Sequence, residues 1–323
     1  MERRNNLVSV IIPTRNRCAL LQETVGSVLA QTHKNLELIV VDDQSGDETW
    51  SWLSSLADER VRPIHLEQHA ERSKARNIGL QAAKGDYVLF FDDDDLLPES
   101  ALATHVEALT NYPEAVATLS GHLSFDPEGH EQSFPIVRAT TLKTVWREIL
   151  FGWAATAGQA LFRIDRLRSA GAWDERYSFA EDHELWLRMT RSAPVVLLPA
   201  LLQKYRVHSG QTRPNDVDTR LTDLRELHIQ DLQGQSRARA ENVLAARTLH
   251  KQAQRLFFDE ARVWRALAIY FRIFRLAPDL FFSPLTRRKL LVPSLKCLVG
   301  GRGIRFARVV LAMWRNHPKA GAP

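Results

Sequence analysis

Four consecutive aspartates, Asp92 to Asp95, follow directly on the apolar run Tyr87-Val88-Leu89-Phe90-Phe91. Adjacent like charges repel, so such a run persists at a strand end where something positive neutralises it. Carboxylate oxygens are preferred by hard divalent cations such as Mg²⁺ and Mn²⁺, which keep open positions for substrate phosphates. A metal–phosphate site at the carboxyl edge of a sheet is the first expectation. A solvated acidic loop, or a cap on the helix that Pro98-Glu99 opens, is the bland alternative. Two more polar clusters also close apolar runs: Pro13-Thr14-Arg15-Asn16 after Leu7–Ile12, and Asp42-Asp43 after Leu36–Val41. Distant clusters that converge on one edge say more than any one of them.

The elements that must position these residues are legible from periodicity. Leu7–Ile12, Leu36–Val41, Val61–Leu66 and Tyr87–Phe91 read as short buried strands. Between them, helices are expected over Leu20–Gln31, from a cap at Asp47 to Ala57 with Trp50, Leu53 and Leu56 inward, and over Ser73–Ala83, stopped by Gly85. Continuous apolar strands alternating with helices predict a doubly wound, mostly parallel sheet, with ligands beyond the carboxyl ends of its strands. From Val116 to His208 the pattern is mixed. Val116–Phe125 and Phe134–Val137 read as strands around a turn at Asp126–Gly129. Thr144–Phe151 and Glu181–Thr190 read as helices, and Val195–Val207 as a strand. From Arg220 the pattern is helical, with a hairpin over Ala240–Leu276. A soft boundary is expected between Gly210 and Asn215.

The two cysteines, Cys18 and Cys297, have no metal-ligand spacing and fit a reducing, cytoplasmic setting. The charged N-terminus does not read as a signal peptide, and no apolar stretch approaches a membrane span. From Leu280 to Pro323 there are nine Lys and Arg and no acidic residue, whereas the other 279 residues carry 34 basic against 38 acidic side chains. A mildly acidic body with a basic tail points to a local anionic partner of the tail, and no nucleic-acid binding is expected. Apolar residues between the tail's charges, among them Leu290, Leu291, Leu295, Leu298, Phe306 and Trp314, suggest contact with an anionic membrane through residues 280–319. A helical cap with a solvated basic face is the alternative.

Taken together, the segments VSVIIPTRNR, SVLAQTHKNLELIVVDDQSGDET and ERSKARNIGLQAAKGDYVLFFDDDDLLPES resemble the nucleotide-sugar half of family-2 glycosyltransferases. ALFRIDRLRSAGAWDERYSFAEDHELWLRM resembles that family's acceptor half, so the likeness covers roughly residues 7–208. It implies a GT-A fold, an α/β Rossmann-like and mostly parallel sheet with flanking helices. Residues 1–215 would form the catalytic domain, divided into 7–115 and 116–210, and a helical basic region would follow over 216–323.

By the same resemblance, Asp94 ligates Mn²⁺ or Mg²⁺, with Asp92 and with His208 from Tyr205-Arg206-Val207-His208. Asp92 or Asp93 contacts ribose or metal-bound water. Asp43, beside Asp42, meets the nucleobase, a carboxylate accepting an imide N–H. Pro13, Thr14, Arg15 and Asn16 lie along base and ribose, Arg72 reaches the base or diphosphate, and Asn77 braces the loop. Asp182 is the general base, with Glu181 orienting it or the acceptor. Each has a plainer reading: an Asx turn for Asp42-Asp43, a solvated helix face for Arg72 and Arg76, a surface histidine for His208, and helix-dipole pairing for Glu181-Asp182. Asp95 fits the start of the helix after Leu96-Leu97-Pro98. His69, His105, His122 and His183 show no ligand spacing. Trp153, Trp173 and Trp186 suit core packing, although one of them could stack on an acceptor sugar.

The chain departs from many relatives at Glu71, where they carry glycine. It also lacks the Gln-x-x-Arg-Trp motif of processive synthases, which favours the addition of one sugar. The implied activity is inverting, metal-dependent transfer from a nucleoside-diphosphate sugar, a UDP-sugar first, to a hydroxyl of a surface glycan or lipid-linked precursor. A sugar nucleotidyltransferase is disfavoured because the first loop, PTRNRC, has no glycine. A non-catalytic nucleotide- or membrane-binding module would not need the acidic motifs.

Overall fold

The computed structural model of the chain describes residues 6–153, 155–177, 179–208, 217–258, 263–291 and 293–294. They form two compact units, one of residues up to Ile149 with those from 154 to His228, the other of Leu150–Trp153 with those from Ile229 onward. The first unit contains β1 (Val8–Thr14), α1 (Cys18–Leu29), β2 (Leu36–Asp42), α2 (Thr49–Ser55), β3 (Val61–His65), α3 (Glu71–Ala82) and β4 (Tyr87–Phe90). After these come α4 (Ala101–Asn111), β5 (Ala117–Phe125), β6 (Glu131–Phe134), β7 (Thr141–Lys143) and α5 (Trp146–Phe151), the last of which runs into the second unit. The first unit continues with β8 (Phe162–Arg163), α6 (Ile164–Ser169), α7 (Glu181–Met189), β9 (Val195–Arg206) and α8 (Val217–Leu227). The second unit contains α9 (Gly234–Phe258), α10 (Val263–Leu276) and α11 (Asp279–Phe282).

Among the described residues the strands form one mixed sheet in the order β3-β2-β1-β4-β8-β5-β9-β7, with β6 paired to β5. Its first part is parallel throughout, with β1 between β2 and β4. Helices cover both faces there, which is why β1, β2 and β4 are apolar at nearly every position and not at alternate ones. Val8, Val10, Ile12, Leu38, Val40 and Leu89 join Leu21, Val25, Leu102 and Leu109 in one core. Gly79 allows the close packing of α3 on β1, because a Cβ there would stand 2.5 Å from Ile11 Cγ2.

Strand direction explains how remote residues meet. β8 runs antiparallel to both β4 and β5, so β5 runs with β4, and β9 is parallel to β5. The carboxyl ends of β1, β2, β4 and β9 therefore share one edge. Thr14 and Asp42 are register partners, as are Ile11 and Phe90. That places the first loop, Asp42-Asp43, Asp92 to Asp95 and the residues after Arg206 side by side.

The structure departs from the sequence reading in several places. β8 is two residues long and pairs on both sides, too short to show any periodicity. The second strand of the β5 hairpin is Glu131–Phe134, not Phe134–Val137; Pro135 ends it because proline offers no ladder donor. The helix after the aspartates starts at Ala101, three residues beyond Pro98, whose carbonyl accepts the Ala101 N–H. Arg163 is buried and donates to Leu109, Tyr112 and Ala115 carbonyls at the end of α4, a cap not apparent from sequence.

In the second unit, α9 and α10 pack together as the expected hairpin, burying Ala240, Val243, Ala246 and Ala253 of α9 and Ala266, Tyr270 and Ile273 of α10. No described helix is long and apolar enough to cross a membrane. The expected boundary at 210–215, Cys297, and the tail residues Leu295, Leu298, Phe306 and Trp314 lie outside the described residues.

Candidate active site

At the shared edge lies a cavity of about 350 Å³ lined by Pro13, Thr14, Arg15, Arg17, Asp43, His69, Glu71, Arg72, Asp92, Asp93, Asp94 and Tyr205. Eight of the residues expected to bind donor or metal are on that wall: Pro13, Thr14, Arg15, Asp43, Arg72, Asp92, Asp93 and Asp94. The others sit around it. Asn16 has φ 54° and ties the first loop to the next one, its Oδ1 accepting the Gly46 N–H at 2.7 Å and its N–H donating to Ser45 Oγ at 2.9 Å. Asp42 is fully buried, accepts the Ser45 N–H and holds His65 Nδ1 at 2.7 Å, which is the turn-forming role. Asn77 is not among the residues lining the cavity and binds Trp173 on both its N–H and carbonyl, and Glu175 Oε1.

The aspartate run divides its work residue by residue. Asp92 accepts from Arg76 Nη2 at 2.9 Å. Burial alone would raise its pKa, but Arg76 and Arg72 hold it below the usual carboxylate range. Asp93 accepts from Thr14 Oγ1 at 2.7 Å and Arg17 Nη1 at 2.9 Å, yet burial pushes its carboxyl up to about 6. Asp94 Oδ2 lies 2.8 Å from the same Arg17 nitrogen and 3.1 Å from His208 Nε2. Asp95 does not serve the following helix as expected. It is fully buried and accepts from Gln203 Nε2 at 2.6 Å and the Arg206 N–H at 2.9 Å, so it fastens the β4 loop to β9. Burial, with Asp92 and Asp94 close by, holds it well above the usual range.

Asp94 and His208, brought together from the ends of β4 and β9, form an oxygen-and-imidazole donor pair that suits Mn²⁺ better than Mg²⁺. The residues present fit a divalent cation. The described trio of acidic and imidazole atoms within 4.8 Å of one another is elsewhere: Asp126, Glu128 and His130 on the β5–β6 turn. There Asp126 accepts the His130 N–H at 2.8 Å and closes the turn.

Arg76 joins the two candidate halves. Its guanidinium is 2% exposed and bonds Asp92 on one nitrogen and Glu181 Oε1 on the other at 3.2 Å, with Asp182 Oδ1 at 3.7 Å. Arg72 Nη1 reaches Glu181 at 3.3 Å. Arg76 also lies 4.4 Å over the Trp173 ring, itself edge-on to Phe90. A buried guanidinium is tolerable only with partners of this kind, so the solvated-face reading fails for Arg76. Trp153, Trp173 and Trp186 are all buried, which is the core role.

α7 begins after Ala180 in a left-handed conformation, φ 63°, which turns Glu181 and Asp182 inward. The Asp182 side chain is 27% exposed, but its Oδ1 is enclosed and accepts no hydrogen bond. Burial raises its pKa to about 7; Arg76 opposes the rise, and Glu181 and Asp92 add to it.

Three residues not singled out for the site belong to it: Arg17, Arg76 and His69. His69 Nδ1 is 2.7 Å from Asp43 Oδ2, while the Ala70 N–H donates to Asp43 Oδ1 at 2.6 Å. Asp43 thus anchors the start of α3. Glu71, at the glycine position of many relatives, adopts φ 67°. A left-handed conformation costs a non-glycine residue about 1 kcal/mol. Glu71→Gly is expected to stabilise the fold by about 0.5–1 kcal/mol in chemical denaturation. A loss of stability would mean that the Glu71–His69 contact at 3.5 Å outweighs the strain.

The fold and this edge define a GT-A glycosyltransferase. The profile of glycosyl transferase family 2 matches residues 9–167. The chain is 42% identical over 226 residues to the Escherichia coli UDP-Glc:alpha-D-GlcNAc-diphosphoundecaprenol beta-1,3-glucosyltransferase WfaP, covering 65% of this chain and 80% of WfaP. It is 28% identical over 229 residues to an uncharacterized glycosyltransferase of Rickettsia typhi, with 68% and 69% covered. Staphylococcus aureus TarS 1–349 in complex with UDP-GlcNAc matches in structure with TM-score 0.63 at 20% identity, covering 93% of this chain and 92% of that one. The chain belongs to glycosyltransferase family 2.

Proposed function

We propose that the protein transfers one sugar, with inversion, from a UDP-sugar to a hydroxyl of a cell-surface glycan or lipid-linked precursor on the cytoplasmic side of a membrane. The observation that carries this reading is Arg76, whose single guanidinium touches Asp92 on the donor side and Glu181 and Asp182 on the other. The names of WfaP, a transferase from UDP-Glc to a diphosphoundecaprenol-linked sugar, and of the TarS complex with UDP-GlcNAc support the donor and acceptor classes.

In this reading Arg15, Arg17 and Arg72, on the cavity wall, meet the diphosphate, and Asp43 meets the base. The Asp182 carboxylate, through its exposed part and not the enclosed Oδ1, takes the acceptor hydroxyl proton as the oxygen attacks the anomeric carbon. The bond from that carbon to phosphate oxygen breaks on the opposite face, and its electron pair leaves with the nucleoside diphosphate. Glu181, held by Arg72 and Arg76, orients the base. Mn²⁺ or Mg²⁺, held by Asp94 with His208 and Asp92, would neutralise the charge developing on the leaving group.

Calorimetry with UDP tests the donor assignment. UDP is expected to bind in the presence of Mn²⁺ and far more weakly in EDTA. Binding of GDP or dTDP in preference to UDP would reassign the base; no metal-dependent nucleotide binding would refute the reading.

A further inference from the structure

We propose that the outer face of α10 docks the protein on an anionic lipid surface. This goes beyond the donor reading and stands independently of it. The inner face of the helix is spent on α9 through Ala266, Tyr270 and Ile273. On the outer face, Trp264 is 76% exposed and Phe271 65%, and Phe282 of α11 is 71% exposed with its ring 6.3 Å from that of Phe274. Single exposed apolar side chains are common on protein surfaces, but aromatic rings gathered on one exposed region mark an interaction surface. Arg265, Arg272 and Arg275 are exposed on the same helix, and α10 contains no Asp or Glu. Aromatic rings beside arginines on one helix match a lipid interface, where rings enter the headgroup boundary and guanidinium groups meet phosphates.

Charge selects this occupant over two others. Residues 229–323 carry 18 Lys and Arg against five Asp and Glu, whereas residues 1–228 carry 25 against 33. The chain's own residues 295–323 contain six basic and no acidic side chains, so like charge opposes their covering α10. A second copy paired face to face would set the same three arginines against one another.

The test is sedimentation of the full chain with vesicles, one set of phosphatidylglycerol mixed with phosphatidylcholine and one of phosphatidylcholine alone. The wild type is expected to pellet with the anionic vesicles only. Arg265→Ala with Arg272→Ala and Arg275→Ala is expected to lower partitioning roughly 100-fold. Trp264→Ser with Phe271→Ser should lower it at least about tenfold. Both variants should bind UDP and Mn²⁺ like the wild type, which separates this test from failure of the donor reading. The proposal is overturned if the wild type ignores anionic vesicles, or if the variants bind them equally, which would move the contact to the basic tail. It is also overturned if light scattering finds a wild-type oligomer that the aromatic variant dissolves without any lipid binding.

Discussion

Replacing Asp94 by alanine should lower sugar transfer at least about 1,000-fold, with Mn²⁺ affinity falling in parallel. A bound cation contributes several kcal/mol to stabilising a charged leaving group, and each 1.36 kcal/mol is tenfold in rate. Asp94 shares its Oδ2 between Arg17 and His208 and carries no backbone contact that its loss would break. The fold should therefore survive, and circular dichroism with an unchanged denaturation midpoint checks that. The comparison is Asp95→Ala, which removes the buried tie to Gln203 and the Arg206 N–H and is expected to lower stability. Full activity of Asp94→Ala under saturating donor would remove this carboxylate from the site.

Asp182→Asn should lower turnover about 10²–10⁴-fold, the usual worth of a general base. The pH dependence makes the assignment sharper. Burial raises Asp182 to about 7, and a base works only when deprotonated. The wild-type rate should rise with pH through about 7 and level off above it. At one unit below that value about a tenth of the molecules carry the active carboxylate, so the rate at pH 6 should be roughly tenfold below the plateau. In Asp182→Asn that step should vanish with the lost turnover, while donor affinity stays within about twofold. Arg76→Lys should shift the step, because the buried guanidinium is the larger of the two arginine charges, with Arg72, that oppose the rise.

The parallel part of the fold was readable because β1, β2 and β4 are buried on both faces and so appear as unbroken apolar runs. The polar residues that end them could then be assigned to one edge. The acidic run and Asp43 were visible by type, and His208 and Asp182 only through likeness to a family. Arg76 was not readable. Its helix places Arg72, Arg76 and Lys74 among small residues, and the groups that bury it, Trp173 and Glu181, come about a hundred residues later. Periodicity describes one element's faces and is silent on which segment will cover them. Asp95 failed for the same reason: its neighbours in sequence suggested a helix start, but β9 supplied closer partners. β8 is too short for any pattern, and Asn77 looked like its neighbours until α3 met the 173–175 segment.

In the proposed reaction, one edge of the sheet holds a sugar nucleotide beside the general base that activates its acceptor. Nucleoside-diphosphate release from a panel of UDP-, GDP- and dTDP-sugars with Mn²⁺ present puts this to the test. UDP release from a UDP-sugar is expected, abolished by EDTA and severely reduced in both Asp94→Ala and Asp182→Asn. Release from none of the donors, or release that both variants leave intact, would contradict it.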